Sequence, residues 1–591
     1  MKIKSLLYIV FFCTISVQAQ RKSVLKAVED VVGYNQIPSE NVFIHYNTTL
    51  LFAGEYLYYN LYCLNAKNNL LSAISKIAYV KLIDDEGQSV FEHKIKLENG
   101  LGQGDFFIPV SIPSGNYKLI GYTQWMLNAR KAGFFRGDVS IINPYQGDQG
   151  KILETNLRKE ASDKYAQDNI ISTNNFETRK DNSTIFIKDT VYSKRSRVQF
   201  NIQKSEVQDG NYSISVRKMD TFKKAKPTTT TDFFELDSTS AVNASGAIGD
   251  SIFLPEMRGE LIYGRIISND SSFSVSQLDV GLSVSGKIND IKMVSTDDKG
   301  NFIMCLDQHH NEDKIMIEVQ DVDKTKYTIL TDNIPETDLG SLDFYSFKIE
   351  QTSLDEIIKR SVYNQIENSF YNLKPDTIQD RAIVSSFYGK DYVNYDLDEY
   401  TRFSTMKETI VEVVEGVRIR KNKRGKEVFS IYKDYVGGSK SNYLPLVLVD
   451  GGIVQDHEDI INYDVREIGN IRFIKDRYYI GTKVFEGILE IKTLKENYWE
   501  QLERKGSIQF NDLKLLEKKR YYKQAYDKSN KDNRIPDYRH QLLWSPNVEI
   551  SGEGVALDFY TSDVAGDFEI TLQGFTKKGK AVSITQHFKV K

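Results

Sequence analysis

Cysteine is scarce in this chain of 591 residues, which contains only three. Cys13 lies in an apolar run at the N-terminus, whereas Cys63 and Cys305 lie in apolar runs typical of strands. We expect the two later cysteines to be buried thiols that behave as small hydrophobic side chains. A disulfide between them remains open, because an oxidising compartment allows it but their separation in sequence gives it no support.

The common motifs of catalysis are also missing. The chain has no Gly-x-Ser-x-Gly, His-Glu-x-x-His or Cys-x-x-Cys, and no glycine-rich loop that ends in Gly-Lys-Ser/Thr. Asp297 and Asp298 are adjacent, but they lack the further spaced oxygen ligands of a calcium loop, so we interpret them as turn residues. We therefore predict no enzyme activity, no catalytic residue, no cofactor and no metal site.

An excess of one charge is absent as well. The 81 acidic and 77 basic residues give a net charge of −4, which argues against a nucleic-acid partner. Residues 1–19 contain Lys2 and Lys4, an apolar stretch and a Val-Gln-Ala ending, which predicts a cleaved secretory signal peptide. No later run is long enough for a membrane helix. We expect an exported mature chain without a transmembrane segment, in the periplasm, peripherally at the outer membrane or at the cell surface.

Strand-forming residues dominate what is present. The chain has 35 Tyr and 31 Phe against 3 Trp, with many Ile and Val, and this usage favours a mainly β fold. At domain lengths of roughly 100 to 200 residues, several domains are expected. The segments 20–39 and 147–182 are predicted to be an N-terminal segment and a linker.

Residues 40–146 carry the clearest pattern, a series of short alternating strands separated by turns, which predicts a β-sandwich. We expect the chain to break at Gly100–Gly104, and Trp125 and Met126 to be sandwich core. The region resembles the macroglobulin-type domain of alpha-2-macroglobulin-like proteins and of many exported Bacteroidetes-type proteins. The matching pieces are Glu40–His45, Phe52–Glu55, Asn99–Phe106, Ser114–Tyr117 and Tyr122–Asn128.

The thioester of that family is missing from this chain. It requires a cysteine followed closely by Glu-Gln, whereas Cys63 precedes Leu-Asn-Ala and Cys305 precedes Leu-Asp-Gln. Covalent trapping of a protease is therefore excluded on chemical grounds.

Two further sandwiches are predicted after the linker. Residues 183–257 repeat the Gly-Asn-Tyr entry into a strand at Gly210, which suggests a second macroglobulin-like copy, with Thr228–Gly249 as an exposed loop. Residues 258–345 resemble the carboxypeptidase-regulatory-like β-sandwich through the turn Thr296–Phe302.

Residues 346–400 are predicted to be a helical connector. The helix spans Leu354–Leu373, ends before Pro375 and packs on a neighbouring domain through an apolar stripe. The stripe consists of Leu354, Ile357, Ile358, Val362, Ile366 and Phe370.

Residues 401–496 resemble the plug domain of TonB-dependent outer-membrane transporters. The resemblance rests on Leu446–Ile453, Ile468–Asp476, Gly481 and Gly487–Thr493. Only residues 494–591 follow, too few for a barrel of about 22 strands, so the resemblance implies a plug-like fold without a pore. Before it, Ile410–Val417 is predicted to be a strand, and the cationic run Arg418–Lys426 to be a solvated loop rather than a site for phosphate or lipid head groups.

The last part of the chain is predicted in two pieces. Residues 497–533 are a helical segment with its helix at Leu513–Ala525. Residues 534–591 are a β segment that completes a sandwich, in which the strands from Trp544 onward pair with a domain far back in sequence.

These features predict a fold of tandem macroglobulin/Ig-like β-sandwiches plus a small α/β plug-like domain. The leading functional hypothesis is a non-enzymatic scaffold or docking component of the bacterial outer envelope, whose partner is an outer-membrane protein or complex. The alternative is a macroglobulin-like protease inhibitor or capture module without a thioester, which would use Thr228–Gly249 as bait. Binding of a carbohydrate or a metal chelate by the plug-like unit is a third reading, by analogy alone.

Overall fold

The computed structural model describes residues 22–128, 133–153, 185–203, 208–237, 246–285, 290–307, 314–321, 323–331, 342–350, 353–379, 386–389, 391–432, 443–500, 506–510, 514–526, 534–552 and 554–591. The predicted signal peptide and Cys13, and residues 154–182 of the predicted linker, lie outside these residues. The described chain forms two compact units. The terminal unit comprises Lys22–Glu260, Thr337–Ala382 and Leu513–Lys591, and the inserted unit comprises Leu261–Glu336 and Ile383–Asp512.

The first β-sandwich of the terminal unit is formed by eight consecutive strands. One sheet has the order β2-β4-β7 and the other the order β3-β9-β8-β5-β6. A short strand and a helix precede them. The elements are β1 (Ser23–Val24), α1 (Val28–Gln36), β2 (Glu40–Tyr46), β3 (Leu50–Phe52), β4 (Tyr56–Asn65), β5 (Ile77–Asp84), β6 (Ser89–Lys96), β7 (Leu101–Phe107), β8 (Gly115–Tyr122) and β9 (Phe135–Ile142).

The predicted break at Gly100–Gly104 is wrong, because β7 runs through it. The glycines serve close packing there: a Cβ on Gly104 would lie 2.3 Å from the Tyr59 hydroxyl, and one on Gly102 would lie 2.7 Å from Ile95. Glycine in a strand interior often marks such an approach rather than a strand end. Trp125 and Met126 are buried, and the Trp125 indole donates to the Pro38 carbonyl at 3.0 Å.

The next part of the chain supplies the N-terminal half of a second sandwich. It also contains a helix where the exposed loop Thr228–Gly249 is predicted, so that prediction is wrong for residues 230–237. Thr230 is buried and its backbone N–H and hydroxyl are both hydrogen-bonded. The elements are β10 (Ile185–Ile187), β11 (Val191–Tyr192), β12 (Arg197–Gln203), β13 (Gly210–Lys218), α2 (Thr230–Asp237) and β14 (Ser251–Ile252), which pairs with β1.

The inserted unit begins with another sandwich. Its sheets have the orders β18-β15-β20 and β17-β16-β19-β29, where β29 returns from much later in the chain. Asp297 forms the turn between β17 and β18 by accepting from the Lys299 and Asn301 backbone N–H groups, each at 2.9 Å. The strands are β15 (Glu260–Ser268), β16 (Asp279–Ser285), β17 (Asp290–Ser295), β18 (Asn301–Leu306), β19 (Lys314–Val319) and β20 (Tyr327–Thr331).

The chain then crosses the terminal unit as α3 (Leu354–Ser369) and β21 (Thr377–Ile378) before it returns to the inserted unit. There it forms a five-stranded mixed sheet of order β22-β27-β28-β25-β26 and the separate hairpin β23-β24. The elements are β22 (Val393–Asp396), α4 (Met406–Glu412), β23 (Val417–Lys421), β24 (Glu427–Ile431), β25 (Leu446–Val449), β26 (Gly452–Ile453), α5 (His457–Ile461), β27 (Ile468–Ile480), β28 (Lys483–Thr493) and β29 (Ser507–Phe510).

Strand β25 is apolar throughout because both faces of the mixed sheet are covered. Val447 and Val449 pack with residues of α4 and α5, whereas Leu446 and Leu448 pack on the opposite face with Ile291 of β17. β25 is parallel to β28, and a strand buried on both sides reads as a continuous hydrophobic run.

The turn after β25 uses Asp450, with φ of 46°, followed by Gly451, with φ of 80°. The Asp450 carboxylate accepts from the Thr493 backbone N–H at 2.8 Å, the Thr493 hydroxyl at 2.7 Å and the Tyr498 N–H at 3.0 Å. This one side chain ties the end of β25 to the end of β28.

The predicted strand at Ile410–Val417 is wrong, because its first part belongs to helix α4. Thr405 and Glu408 form a capping box that starts this helix, with the Glu408 N–H donating to Thr405 at 3.2 Å and the Thr405 N–H donating to Glu408 at 3.1 Å. Met406, Ile410 and Val414 are buried at a spacing of four residues. The cap and this spacing outweigh the local alternation.

The last strands complete the second sandwich of the terminal unit. Its sheets have the orders β10-β12-β32 and β11-β34-β33-β13-β31, so β13 lies between two strands from the end of the chain. The fold is therefore mainly β, with tandem β-sandwiches and a small α/β domain, as the sequence predicts. The strands are β30 (Lys519–Arg520), β31 (Gln541–Ile550), β32 (Gly554–Tyr560), β33 (Gly566–Thr576) and β34 (Ala581–Val590).

Candidate functional site

A buried ion network fixes α3 against both sandwiches of the terminal unit. Arg360 of α3 donates to both oxygens of Glu55, at 2.7 and 2.8 Å, and to Asp220 at 2.6 Å. Arg217 of β13 donates to Glu55 at 3.0 Å, and Lys224 pairs with Asp220 at 2.6 Å. Two carboxylates and three cations thus link the β3–β4 turn, β13 and α3.

The two carboxylates of this network stay ionised although they are buried. Burial alone raises the pKa of the Glu55 carboxyl, but Arg360 and Arg217 lower it to about 2. For Asp220 the same opposition of burial against Lys224 and Arg360 leaves the pKa well below its ordinary value. Neither carboxylate is suited to act as a general base, because both are held by cations.

The predicted apolar stripe of α3 does not form its buried face, so that part of the prediction is wrong. The buried residues of α3 are Ile357, Arg360, Ser361 and Asn364, whereas Leu354, Ile358 and Val362 are exposed. The helix itself is confirmed, and it ends at Ser369. The carboxylates of Glu55 and Asp220 lie on the surface that faces α3. Because they pair with Arg360, the ion network determines which side of α3 is buried.

A second set of charges orients the segment that leads into β31. Asp537 accepts two hydrogen bonds from Arg539, at 2.6 and 2.7 Å, and also accepts from the Tyr526 hydroxyl. Arg195 holds Asp563 at 2.7 and 2.6 Å, and Asp563 accepts from the Asp537 backbone N–H at 2.9 Å. These contacts fix the start of β31 and therefore Trp544 within it.

Residues 514–525 contain no helix, so the predicted helix at Leu513–Ala525 is wrong there. We call the segment 514–526 the strap. Strand β30 of the strap pairs with β21. The Leu516 N–H donates to the Lys94 carbonyl at 2.8 Å, and the Tyr522 N–H donates to Asp376 at 2.8 Å. Tyr521 packs edge-on against Tyr58 at 5.0 Å. Pairing with distant strands outweighs the helix-favouring Lys and Glu content of this segment.

The strap forms one wall of a cavity of about 510 Å³ in the terminal unit. The remaining walls come from β7, from the residues around β21 and from β31. The lining residues are Gln103, Pro375, Thr377, Gln379, Lys518–Lys523 and Trp544–Asn547. A smaller adjoining cavity of about 160 Å³ shares Tyr521, Tyr522 and Trp544 and reaches Glu55 and His540.

Two buried polar atoms of the cavity wall lack a hydrogen-bond partner among the described residues. They are the indole Nε1 of Trp544 and Oδ1 of Asn547. Trp544 is only 5% exposed, and its ring stacks on Tyr58 at 6.1 Å. Because an unsatisfied buried polar group costs about 1–3 kcal/mol, these atoms mark the wall as a place for an external hydrogen-bonding group.

Other residues considered from the sequence lie elsewhere. The predicted loop Arg418–Lys426 is wrong for residues 418–421, which belong to strand β23, whereas residues 422–426 form the turn of the hairpin β23-β24. Arg418 stacks on Tyr432 at 3.6 Å, and Lys426 pairs with Asp456. Cys63 is buried and Cys305 is partly buried, and no disulfide joins them. Within the described ranges, no three His, Cys, Asp or Glu side chains are grouped as metal ligands, and no helix is long and apolar enough to cross a membrane.

The sequence did not single out the cavity residues as a site. The cavity walls come from four separate segments of the chain, and neither Gln103 nor Trp544 belongs to a ligand motif. The one usable signal was the clustering of cations and tyrosines at Lys518–Lys523, which was interpreted as helical.

Comparisons with known proteins give low similarity. No protein family and no curated protein matches this sequence. Among solved structures, Salmonella alpha-2-macroglobulin reacted with methylamine aligns at 9% identity over 97% of this chain and 40% of its own, with a TM-score of 0.24. Escherichia coli alpha-2-macroglobulin activated by porcine elastase aligns at 9% identity over 93% and 44%, also with a TM-score of 0.24.

A third solved structure is dimeric latent PorU from Porphyromonas gingivalis, at 10% identity over 50% of this chain and 34% of its own, with a TM-score of 0.15. This chain therefore spans less than half the length of the macroglobulins with which it aligns. TM-scores of this size carry no argument about function. The assignment of sandwiches rests on the sheets themselves.

Proposed function

We propose that this chain is a non-enzymatic protein of the bacterial outer envelope that serves as a scaffold or docking component for an outer-membrane protein or complex. One observation carries this proposal: the 510 Å³ cavity is lined by Tyr, Trp, Lys and Arg side chains, while Asp105 and Glu55 nearby are held in ion pairs. Tyrosine, tryptophan and arginine are the residues that dominate protein interfaces.

The ion pairs of the acidic residues near the cavity argue for binding rather than catalysis. A general acid or base needs an unclamped group with a pKa near the working pH. Here Glu55 and Asp537 are held by arginines, and the pKa of His540 is lowered to about 3, first by burial and then by Arg360. Glu55 and His540 therefore do not supply a poised proton donor in the adjoining cavity.

Export is part of the proposal. The signal-like residues 1–19 predict that the mature chain begins at Gln20. In this proposal the plug-like unit is the second docking module. N-terminal sequencing of the protein from its native cells is expected to begin at Gln20. Retention of residues 1–19 would contradict export by this route.

Fractionation tests the function directly. In mild detergent the protein is expected to co-purify with one outer-membrane protein at a fixed ratio, and the crosslinked pair is expected to be recovered when the partner is the tagged component. Recovery of the whole population as an uncrosslinked protein in the periplasmic or extracellular fraction would refute the proposal.

The inhibitor alternative gains no support from the described part of its bait segment. Residues Thr230–Asp237 form α2, and Thr230 and Phe233 are buried. A protease needs an accessible extended segment, so cleavage is not expected within α2. Protease retention after cleavage anywhere in Thr228–Gly249 would revive that alternative.

A further inference from the structure

We propose that the 510 Å³ cavity binds an acidic, extended peptide segment of a partner protein, through Trp544 and Asn547 for the peptide backbone and Arg520 and Lys523 for its carboxylates. This inference rests on the docking function proposed above and names the chemistry of its partner.

The hydrogen-bonding capacity of the wall is fixed by a chain of contacts. Gln103 donates through Nε2 to the Lys519 carbonyl, so its Oε1 must face the next residue as an acceptor. Asn547 therefore turns its Nδ2 toward that oxygen, at 3.2 Å, and its Oδ1 is left as an acceptor. The Trp544 indole can only donate. The wall thus presents one unsatisfied donor and one unsatisfied acceptor.

An unsatisfied donor together with an unsatisfied acceptor matches a ligand group that can both accept and donate a hydrogen bond. A peptide unit does so with its C=O and N–H, whereas a carboxylate or sulfate ion only accepts. A fully deprotonated anion would satisfy Trp544 and leave Asn547 without a donor. The hydrogen bonds therefore favour a peptide over a simple anion.

The charges of the wall favour an acidic sequence. Among the described residues, four cations and no Asp or Glu line the cavity. Lys519 is paired with Asp105 at 2.9 Å and Lys518 with Glu98 at 2.7 Å. Arg520 and Lys523 are exposed and form no ion pair with a described residue. Two uncompensated cations beside an acid-free wall create a positive potential that attracts carboxylates.

The shape of the wall favours an extended segment. Among the described residues, the ribbon β21-β30 consists of two strands, and Thr377 and Ile378 of β21 are exposed. A strand edge of this kind recruits an extended chain through main-chain hydrogen bonds. The volume lies within the range of about 300–1,000 Å³ that is usual for ligand sites.

Fluorescence polarisation with three labelled peptides of about nine residues tests the proposal. The peptides alternate Val with Glu, Gln or Lys, so only the charge differs. The Glu peptide is expected to bind at least about 10-fold more tightly than the Gln peptide, a difference of about 1.4 kcal/mol, and the Lys peptide is expected not to bind. Equal binding of the Glu and Gln peptides would overturn the proposal.

Variants of the full mature chain locate the site. The double variant Arg520→Glu/Lys523→Glu is expected to weaken binding of the Glu peptide at least about 10-fold. The matched control Lys188→Glu/Lys194→Glu makes the same charge change at exposed positions outside the cavity and is expected to leave binding unchanged. Equal effects of the two double variants would show a non-specific charge effect and would refute the site.

Trp544→Phe separates the hydrogen bond from the charge. It keeps a ring against Tyr58 but removes the indole donor. It is expected to weaken the Glu peptide several-fold without changing the dependence of binding on salt, because the cations remain. An unchanged affinity of this variant for the Glu peptide would show that the Trp544 indole does not contribute to binding.

Competitors identify the ligand class. Inorganic phosphate and an oligomer of galacturonic acid are expected not to displace the Glu peptide at matched charge concentration. Displacement by phosphate would reduce the site to an anion site, and displacement by the oligosaccharide would assign it to acidic carbohydrate; either result overturns the peptide assignment.

Repetition of the crosslinking experiment with Arg520→Glu/Lys523→Glu separates this inference from the docking function. Loss of the crosslinked partner in this variant but not in the parent protein supports both the docking function and the cavity as its site. Retention of the partner in both proteins leaves docking intact and refutes the cavity as its site. Absence of a partner in both refutes the docking function itself.

Discussion

Replacement of Arg360 by methionine tests whether the buried ion network stabilises the terminal unit. Arg360 is 4% exposed and makes three hydrogen bonds of 2.6 to 2.8 Å to Glu55 and Asp220. Methionine keeps much of the volume and the packing on Phe52 but removes the charge. Because it leaves two buried carboxylates short of a cation, removal of one partner from such a network costs about 3–5 kcal/mol.

We expect the lower end of that range for this variant. Arg217 still pairs with Glu55 at 3.0 Å, and Lys224 still pairs with Asp220 at 2.6 Å. Each carboxylate therefore keeps one cation. A loss of about 3 kcal/mol would lower the urea midpoint by about 1 M at a slope of about 3 kcal/mol per M.

Tryptophan fluorescence can follow the terminal unit alone. Trp125 and Trp544 lie in that unit and Trp499 in the inserted unit, so a Trp499→Phe background removes the other signal. Lys223→Met is the matched control, because its pair with Glu350 is exposed and is expected to contribute less than about 1 kcal/mol. Equal midpoints for Arg360→Met and the control would refute the reasoning.

The pH dependence gives a second check on the same network. The pKa of Glu55 is depressed from 4.5 to about 2, so its stabilising contribution is present above about pH 4.5 and is lost as the pH falls toward 2. The difference in stability between the parent and Arg360→Met is therefore expected to shrink across that window. A difference that is constant from pH 6 to pH 2 would contradict the assignment.

Three further predictions concern other parts of the fold. Gly104→Ala places a methyl group against Tyr59, which is expected to cost about 1–3 kcal/mol of stability. Trypsin is therefore expected to cleave the strap faster in this variant. In the control Gly147→Ala the new methyl group meets nothing within 4 Å, and the cleavage rate is expected to stay unchanged. Asp450→Asn removes one charged acceptor at the β25 turn and is expected to lower the stability of the inserted unit by about 1–3 kcal/mol, read from Trp499 in a chain whose other tryptophans are Phe; an unchanged midpoint would refute this role. Burial raises the pKa of the Cys63 thiol, so a thiol reagent is expected to label Cys305 first in the native protein, and equal rates at both cysteines would contradict this.

The sequence predicted the mainly β class because strand alternation and turn residues act locally. The helix α3 and the turn at Asp297 were predictable for the same reason. The errors arose where distant partners decide the outcome: the strap forms no helix because β21, β7 and Lys94 pair with it, and α3 turns Arg360 inward because Glu55 and Asp220 lie opposite. Helix α4 was missed although its capping box at Thr405 and Glu408 is visible in the sequence.

The residues of the candidate site could not be recognised as a site from the sequence. Its walls come from β7, β21, the strap and β31, which lie between residues 101 and 550. Each segment has a structural explanation by itself: Gln103 is a strand residue, Lys519 pairs with Asp105, and Trp544 stacks on Tyr58. Only their combination leaves a donor, an acceptor and two cations without partners on one surface. Since β31 is held by β13, and the strap by β7 and β21, the cavity exists only when segments from all three thirds of the chain have folded together.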